Sequence, residues 1–294
     1  MVNQREHERF LVTGVQMPVS LTQDNIPAMR AKVSEIMSLF PGTDMIVFSE
    51  LAMHGPLESR ISTDPSKDIE VFQNLAARHA VWIIPGSFYV RREGQVFNHA
   101  VVIGPDGLIK GRYDKMFPFR PFESGVATGS SFLAFDVPGV GRFGLSICYD
   151  IWFPEIMRTL TSMGVEVLIH PTLTGTTDRA AENAISKATA AMFQCYVVDV
   201  NGLDGGGNGR SLVADPTGNA VYQAGQVPEI FPVMIDLGLV RQSRRDGANG
   251  LGQVLKSWRD RPVDFDVYAP GQPCDYLDAL GPLEPMKKRE RTKD

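Results

Sequence analysis

Short apolar runs alternate with amphipathic helical segments in both halves of this sequence, and no other feature constrains the fold as strongly. In the first half, the runs at 45–48 and 81–84 each follow a segment with apolar residues at three- and four-residue spacing. In the second half, the runs at 165–170 and 195–200 flank a long alanine-rich helical segment at 179–194. Strands that alternate with helices need helices on the faces of their sheet. The pattern therefore predicts an α/β fold.

Predicted hairpins interrupt this alternation and make the sheets mixed. Turn residues at Glu93-Gly94 and Pro105-Asp106-Gly107 separate three consecutive strands, predicted at 86–91, 96–103 and 108–113. The segment Asp215-Pro216-Thr217-Gly218 is typical of a further hairpin turn. Because no linker-like stretch interrupts residues 9–245, we predict one domain with two packed sheets instead of two domains.

The C-terminal part of the sequence has a different character. Beyond about Pro262 it is rich in proline and charge and shows no periodicity. We therefore predict a domain over residues 1–265, followed by an arm or tail at 266–294. Such a segment is expected either to make a subunit contact or to be partly disordered.

The composition is that of an ordinary globular protein and argues against several classes of function. The chain has 294 residues, a net charge of −5 and no basic run in its body, so nucleic acid is not expected as a partner. The polar N-terminus lacks a signal-peptide pattern, and no run is long enough to span a bilayer. The three cysteines lack the spacing of a disulfide framework. We expect a cytoplasmic protein without a membrane partner.

Patterns that would indicate a metal or a cofactor are also missing from the sequence. The five histidines do not occur as ligand pairs at helical or hairpin spacing. The glycine-rich segment at 205–209 lacks the Gly-Lys-Ser/Thr ending of a phosphate loop, and we interpret it as a flexible turn. We therefore expect neither a metal nor a cofactor.

The stretch at 143–155 places a cysteine at a strand-to-helix junction. A β-compatible run delivers Cys148 to its end, and Phe153-Pro154-Glu155 is typical of the first turn of a helix. Loop N–H groups and nearby cations at such a junction can lower the pKa of a thiol, which makes Cys148 a candidate nucleophile. The alternative is a buried cysteine that only packs.

Three further ionisable residues occupy similar positions. Glu50 ends a buried run, Lys115 follows a predicted strand, and Glu123 lies in the aromatic, proline-rich loop after it. Each is typical of a surface charge when taken singly, but ionised groups among so many apolar residues must pair if they are buried. His170 ends another strand, which leaves a Cys-His dyad open.

Four motifs occur in a fixed order between about residues 9 and 245. They are Val47-Phe-Ser-Glu50, Gly111-Arg-Tyr-Asp-Lys115 followed by Glu123, Leu145-Ser-Ile-Cys148-Tyr-Asp-Ile-Trp-Phe-Pro-Glu155, and Gly209-Arg-Ser-Leu-Val-Ala-Asp-Pro-Thr-Gly218. Together they resemble the nitrilase superfamily of carbon-nitrogen hydrolases. The resemblance implies a four-layer α-β-β-α sandwich with two mixed sheets, and subunits that assemble as a homodimer or a higher homo-oligomer.

The resemblance also implies a catalytic set. Carried over by position, Cys148 is the nucleophile, Glu50 the general base and later acid, and Lys115 a cationic stabiliser. Glu123 is then a second glutamate that positions its neighbours or the substrate. Attack of the thiolate on an amide forms an oxyanion, which the ammonium group and the backbone N–H of Tyr149 would stabilise. The sequence leaves open whether an apolar pocket or Lys115 decides the pKa of Glu50.

The residues after the cysteine favour one branch of this superfamily. Tyr149-Asp150 stands where nitrilases typically carry Trp-Glu, which resembles the amidase and carbamoylase branches. We therefore expect hydrolysis of a small carboxamide to a carboxylic acid and ammonia through a cysteine thioester. The alternatives are an N-carbamoyl amine or amino-acid hydrolase, a nitrilase, and a catalytically silent oligomeric binding protein.

Residues that flank the catalytic positions are the candidates for substrate contact. They are Tyr113, Phe117, Tyr149, Trp152, His170 and Thr172, with Phe119, Phe122 and Thr174 beside them. Arg120 and Arg179 are interpreted as solvated, because charged side chains are mostly exposed. The alternative is that one of them faces the site and binds a substrate carboxylate bidentately.

Overall fold

The computed structural model describes residues 9–120, 122–269, 271 and 274–283. The basic stretch at 287–293 and the last part of the predicted arm lie outside the described residues. The elements of the first half are β1 (Arg9–Gln16), α1 (Ile26–Leu39), β2 (Met45–Phe48), α2 (Pro65–His79), β3 (Trp82–Ile84), β4 (Ser87–Arg92), β5 (Gln95–Ile103) and β6 (Ile109–Asp114).

The second half repeats the strand-helix alternation. Its strands are β7 (Leu133–Val137), β8 (Gly141–Leu145), β9 (Val167–Thr172), β10 (Tyr196–Asn201), β11 (Leu203–Asp204), β12 (Gly207–Asn208), β13 (Leu212–Ala214), β14 (Ala220–Gln223) and β15 (Glu229–Asp236). Its helices are α3 (Pro154–Ser162), α4 (Arg179–Phe193), α5 (Leu237–Asp246), α6 (Val254–Arg259) and the short α7 (Asp275–Asp278).

The strands form two large mixed sheets. The first has the order β15-β1-β2-β3-β5-β4, with β6 paired to β5, and its β1, β2 and β3 are parallel. The second has the order β14-β13-β10-β9-β8-β7, with β8, β9 and β10 parallel. The hairpins predicted from turn residues form the antiparallel pairs β4–β5 and β5–β6 of the first sheet and β13–β14 of the second.

Three apolar clusters show how the layers pack. One lies between the two sheets and contains residues of both, for example Val47 on β2 and Phe143 on β8. A second packs α1 and α2 on the outer face of the first sheet, and a third packs α3 and α4 on the outer face of the second sheet. Both sheets therefore lie between helices, and the predicted four-layer α-β-β-α sandwich with two mixed sheets is confirmed.

The glycine-rich segment at 205–209 is more ordered than the predicted flexible turn. Leu203–Asp204 and Gly207–Asn208 pair as a small antiparallel hairpin, with Gly205 and Gly206 at its tip. Both glycines have positive φ, at 50° and 118°, which side chains disfavour. The hairpin tip contributes to the wall of the main cavity described below.

The C-terminal segment begins as a packed element and ends exposed. Trp258 on α6 stacks on the ring of Phe265, and the guanidinium of Arg158 on α3 lies 3.9 Å from the indole centroid. From residue 274 to 283 the described side chains are exposed. None of the helices in the described part of the chain combines the length and hydropathy of a transmembrane span.

Candidate active site

Cys148 lies at the start of a single 3-10 turn, Cys148–Trp152, between β8 and α3. Its φ of 47° is in the left-handed region, which is strained for a residue other than glycine. The side chain of Asp150 holds this turn, because its carboxylate accepts hydrogen bonds from the backbone N–H groups of Ile147 and Phe117, both at 2.9 Å. A strained backbone held by neighbouring hydrogen bonds fixes the direction of the thiol.

Three predicted residues meet in one buried ionic cluster beside Cys148. The Nζ atom of Lys115 lies 2.7 Å from Oε1 of Glu50 and 2.7 Å from Oε2 of Glu123. Lys115, Glu50 and Glu123 are 1%, 3% and 5% exposed. The sequence predicted such pairing as the condition for burying these charges, and the structure brings the three residues together.

Asn98 on β5 is a member of this cluster that the sequence analysis missed. Its Nδ2 group donates to Oε1 of Glu50 at 2.8 Å and to Oε1 of Glu123 at 2.9 Å. The hydroxyl of Tyr89 and the backbone N–H of Phe119 also donate to Glu123, at 3.3 and 2.6 Å. An amide within an apolar strand was the available signal, since buried polar groups need partners.

Burial and charge act differently on each member of the cluster, and at Glu50 the effect of burial on the pKa is the larger one. Desolvation raises the pKa of the Glu50 carboxyl despite the attraction to Lys115. The net pKa of Glu123 is lower than its ordinary value. Burial acts to raise it, but the charge of Lys115 and the hydrogen bonds to the carboxylate outweigh that effect. Burial lowers the pKa of Lys115, yet the two carboxylates hold it well above its ordinary value. Desolvation raises the pKa of the Cys148 thiol, so the thiol is protonated at neutral pH.

A second acidic group approaches the thiol from the opposite side. The Oγ1 atom of Thr174 lies 3.6 Å from Sγ of Cys148, and the Thr174 hydroxyl donates to Oε1 of Glu182 at 3.1 Å. The indole N–H of Trp152 points to the same carboxylate oxygen at 3.5 Å. Burial raises the pKa of Glu182 to about 7. No sequence pattern indicated Glu182, which lies on the long alanine-rich helix α4.

The two arginines differ from both interpretations offered by the sequence. Arg179 is fully buried and forms two hydrogen bonds of 3.0 Å with Asp199, so it is neither solvated nor available to clamp a substrate carboxylate. Its Nη1 atom also lies 3.5 Å from Glu182. Arg120 is half-buried and donates to the carbonyl oxygen of Val126 at 3.1 Å. It does not line the cavity over Cys148.

A cavity of about 630 Å³ opens over the thiol. This volume is in the range of small-molecule sites. Its wall is formed mainly by apolar and aromatic side chains, including Leu21, Leu51, Pro56, Leu57, Phe119, Phe122, Tyr149, Trp152 and Leu173. Cys148, Glu50, Lys115, Glu123, Thr174 and Glu182 supply its polar floor and one side. A small organic molecule can therefore reach the sulfur.

The structure divides the residues predicted to contact substrate into two groups. Tyr149, Trp152, Phe119, Phe122 and Thr174 line the cavity, whereas Tyr113, His170 and Thr172 are buried outside its lining and Phe117 is exposed outside it. Tyr113 donates its hydroxyl to Asp150 at 2.8 Å, and the ring of Phe117 stacks on Phe153. The backbone carbonyl of Thr172 accepts from the N–H of Glu50 at 3.2 Å. Tyr113 and Thr172 therefore support residues of the site through these hydrogen bonds and do not face the cavity.

His170 does not form the dyad with Cys148 that the spacing left open. Its Nδ1 atom lies 2.8 Å from the hydroxyl of Ser146, and burial lowers its pKa to about 4, so the ring is neutral. Within the described ranges, no three His, Cys, Asp or Glu side chains are grouped as metal ligands.

Comparisons with known proteins place the chain in a family. The model of the family described as carbon-nitrogen hydrolase matches residues 11–245. The deaminated glutathione amidase of Bos taurus is 28% identical over 213 residues, which cover 65% of this chain and 65% of that protein. The formamidase of Bacillus cereus is 26% identical over 289 residues, which cover 87% of this chain and 86% of that protein.

Solved structures show the same fold. The carbon-nitrogen hydrolase of Helicobacter pylori G27 superposes with a TM-score of 0.76 at 24% identity, over 94% of this chain and 99% of that chain. Nit3 of Saccharomyces cerevisiae, described as a member of branch 10 of the nitrilase superfamily, gives a TM-score of 0.73 at 22% identity, over 81% and 94% of the two chains. This chain shares the fold of these solved structures, and from its matched residues it belongs to the carbon-nitrogen hydrolase family.

Proposed function

We propose that the protein hydrolyses a small carboxamide to a carboxylic acid and ammonia through a thioester on Cys148. The observation that carries the proposal is the meeting of Cys148, Glu50 and Lys115 at the floor of one cavity, with Glu123 behind them. Relatives matched in sequence include a formamidase and a deaminated glutathione amidase, which supports an amide substrate.

The first half-reaction forms the thioester. Glu50 takes the thiol proton, and the sulfur attacks the amide carbon, so that a C–S bond forms and the carbonyl oxygen becomes an oxyanion. The ammonium group of Lys115 and the backbone N–H of Tyr149 stabilise that oxyanion. The N–H of Tyr149 belongs to the first turn of a helical segment and therefore has no partner within the turn. Protonated Glu50 then gives its proton to the nitrogen, the C–N bond breaks, and ammonia leaves.

The second half-reaction releases the acid. Glu50, again a carboxylate, takes a proton from water, and the hydroxide attacks the thioester carbon. The C–S bond breaks, the carboxylic acid leaves, and the sulfur recovers its proton from Glu50. One carboxylate therefore serves as base and acid in both steps, which suits a pKa that burial has raised toward neutrality.

The surrounding residues keep the catalytic charges in the states that this mechanism needs. Two carboxylates hold Lys115 as an ammonium ion, so it remains a cation throughout the cycle. Asn98 and Glu123 fix Glu50 and Lys115 through hydrogen bonds of 2.7–2.9 Å. Preorganised partners of this kind stabilise a developing charge without reorganising during the reaction.

Hydrolysis of an N-carbamoyl amino acid is less well supported than amide hydrolysis. Such a substrate carries a carboxylate, and a bidentate arginine is its usual recognition device. Arg179 is already engaged with Asp199, and Lys115 is the only cation among the described residues that line the cavity. Lys115 itself is shared by two glutamates.

The test compares the intact protein with Cys148→Ala, Cys148→Ser and Glu50→Gln on a panel of aliphatic, aromatic and N-carbamoyl amides. We expect ammonia release and an acyl adduct on Cys148 by mass spectrometry with the intact protein, and no adduct with Cys148→Ala. Glu50→Gln should lower turnover by about 10²–10⁴-fold, the usual contribution of a general base.

Glu70→Gln is the matched control for the Glu50 variant. It makes the same chemical change at a residue that is exposed on α2 and does not line the cavity. It should turn over like the intact protein. If the intact protein releases ammonia from no amide or ureido compound and forms no adduct, the proposed enzyme activity is wrong and a silent binding protein is supported. Near-normal turnover by Glu50→Gln would remove Glu50 from the role of base.

A further inference from the structure

The wall of the cavity carries an excess of negative charge. Its charged residues are Glu50, Glu58, Lys115, Glu123, Asp178 and Glu182. The single cation of this set, Lys115, is held between two of the carboxylates at 2.7 Å. The remaining three acids lie along the side of the cavity, with Glu182 buried, Asp178 half-buried and Glu58 exposed. A ligand entering this space meets uncompensated carboxylates.

Glu182 is the acid of this set closest to the chemistry. Thr174 links it to the sulfur of Cys148 through contacts of 3.6 and 3.1 Å, so it lies two hydrogen-bond lengths from the nucleophile. Its only cationic neighbour is Arg179 among the described residues, at 3.5 Å, and that guanidinium is closer to Asp199, at 3.0 Å. One arginine cannot neutralise two carboxylates, so above about pH 7, where Glu182 is ionised, the group carries a net negative charge beside the cavity.

Two aromatic side chains stand next to this carboxylate. Trp152 directs its indole N–H toward Glu182 at 3.5 Å, and the ring of Tyr149 lies 6.0 Å from the Trp152 ring. Both rings line the cavity. Aromatic faces attract ammonium groups through their electron distribution, and a carboxylate beside them adds a charge-assisted hydrogen bond. The combination is suited to a protonated amine and unsuited to a carboxylate.

We propose that Glu182, with Trp152 and Tyr149, makes this enzyme select carboxamides that carry a protonated amino group two or three methylenes from the reacting carbonyl. The spacing follows from the two contacts that separate Glu182 from Sγ of Cys148. A carboxylate at the same place on the substrate is repelled. This inference deepens the proposed function and rests on it, since it concerns the same cavity.

A purely structural role for Glu182 makes a different prediction. If the residue only held Thr174 and the turn around Cys148, its loss would impair all amides by the same factor. If it recognises charge, its loss affects substrates according to their charge. The ratio of kcat/KM between substrates separates the two roles, because a general loss of activity cancels in that ratio.

The experiment uses three amides of matched length, namely 4-aminobutanamide, pentanamide and succinamate, at about pH 8, where the amine is protonated. We expect the intact protein to prefer 4-aminobutanamide over pentanamide by about 10- to 100-fold in kcat/KM, the range of one charge-assisted hydrogen bond. Succinamate should be the poorest substrate. Glu182→Gln should bring the three values to within about threefold of one another, mainly through KM. Glu70→Gln, on the exposed face of α2, should keep the preference of the intact protein.

Binding to the Cys148→Ala variant gives a readout that does not need turnover. Calorimetry should show tighter binding of 4-aminobutanamide than of pentanamide, and a Glu182→Gln, Cys148→Ala double variant should lose that difference. Equal kcat/KM values for the three amides in the intact protein, or a ratio that Glu182→Gln leaves unchanged, would overturn the inference while leaving amide hydrolysis intact. Absence of turnover and adduct with every amide would instead overturn the proposed function.

Discussion

Buried carboxyl groups define the chemistry of this site at the scale of single residues. Burial raises the pKa of Asp150 to about 6 and that of Glu182 to about 7, and it also raises the pKa of Glu50. Each group has hydrogen-bond donors around it, yet the loss of hydration outweighs them. Asp150 and Glu182 therefore exchange protons near neutral pH. A raised pKa also suits the general acid-base role proposed for Glu50.

The raised pKa of Glu182 predicts how the stability of the protein changes with pH. The folded protein keeps the Glu182 proton up to about pH 7, whereas the unfolded chain loses it near the ordinary value of 4.5. Between these two values the folded state binds more protons, so this contribution to the free energy of unfolding is lost as the pH rises. Glu182→Gln cannot ionise and escapes this loss.

We therefore expect the melting temperature of Glu182→Gln, relative to that of the intact protein, to increase from about pH 4.5 to pH 7 and to level off above it. The total change in the free energy of unfolding should be on the order of a few kcal/mol. Thermal melts of both proteins across this range measure it. A constant difference, or one that decreases with pH, would contradict the assignment of a raised pKa to Glu182.

At the scale of elements, the site exists because the two sheets face each other. The first sheet supplies Glu50 at the end of β2, Asn98 on β5 and Lys115 after β6. The second sheet supplies Cys148 after β8 and Thr174 after β9. The proposed base and the proposed nucleophile therefore come from different layers, and their distance depends on how the sheets pack. A small shift at the end of β2 should therefore change the distance between the Glu50 carboxylate and the Cys148 sulfur, and with it the rate of reaction.

Gly86 fixes the end of β2 and provides a test of this dependence. It has a φ of 76°, and a Cβ atom there would lie 1.8 Å from the backbone oxygen of Ser49, the residue before Glu50. Gly86→Ala must displace that backbone. We expect a loss of stability larger than the roughly 1–2 kcal/mol of the left-handed conformation alone, together with a lower kcat.

Gly94 is the matched control for this prediction. It lies in the turn between β4 and β5 with a φ of 79°, and a Cβ atom there would meet nothing within 4 Å. Gly94→Ala should lose only the stability that the left-handed backbone conformation costs, because no neighbouring backbone has to move. Its kcat should remain that of the intact protein. Chemical denaturation and steady-state kinetics of the two variants make the comparison. Equal effects of the two substitutions would show that the contact with Ser49 does not position Glu50.

At the scale of the whole molecule, the C-terminal segment has the character of a contact surface. Tyr276, Leu280 and Leu283 are 76%, 66% and 79% exposed. Three large apolar side chains in one short segment are typical of a surface that is covered in an assembly. The preceding residues are anchored to α3, where the hydroxyl of Tyr268 donates to Glu155 at 3.2 Å. We therefore propose, as the composition of this segment predicted, that this arm contacts a second subunit.

Removal of residues 270–294 should reduce the oligomer mass measured by light scattering more than it reduces turnover. The reason is that the described part of the arm lines no part of the cavity, whereas its apolar side chains need a partner surface. The full-length variant Leu280→Ser should shift the mass in the same direction. An unchanged mass in both variants would count against the arm as a subunit contact.

The sequence by itself determined the layered fold and the main reactive groups. Strand-helix alternation is a local pattern, and it predicted both sheets. Glu50, Lys115 and Cys148 were found because each stands in a short motif at the end of a strand. Both the strand-helix pattern and these motifs depend only on residues that are close together in the chain, so the sequence is enough to recognise them.

Only the tertiary structure decided which polar groups are desolvated and which partners they meet. Asn98 lies 48 residues from Glu50 in the chain, and Arg179 lies 20 residues from Asp199, so no local spacing indicated either pair. The same holds for Glu182, whose burial depends on packing against Thr174, Trp152 and Arg179. The pKa of a carboxyl group and the charge of a cavity are set by the groups packed around them. Long-range packing brings those groups together, and the selectivity proposed for this site depends on it.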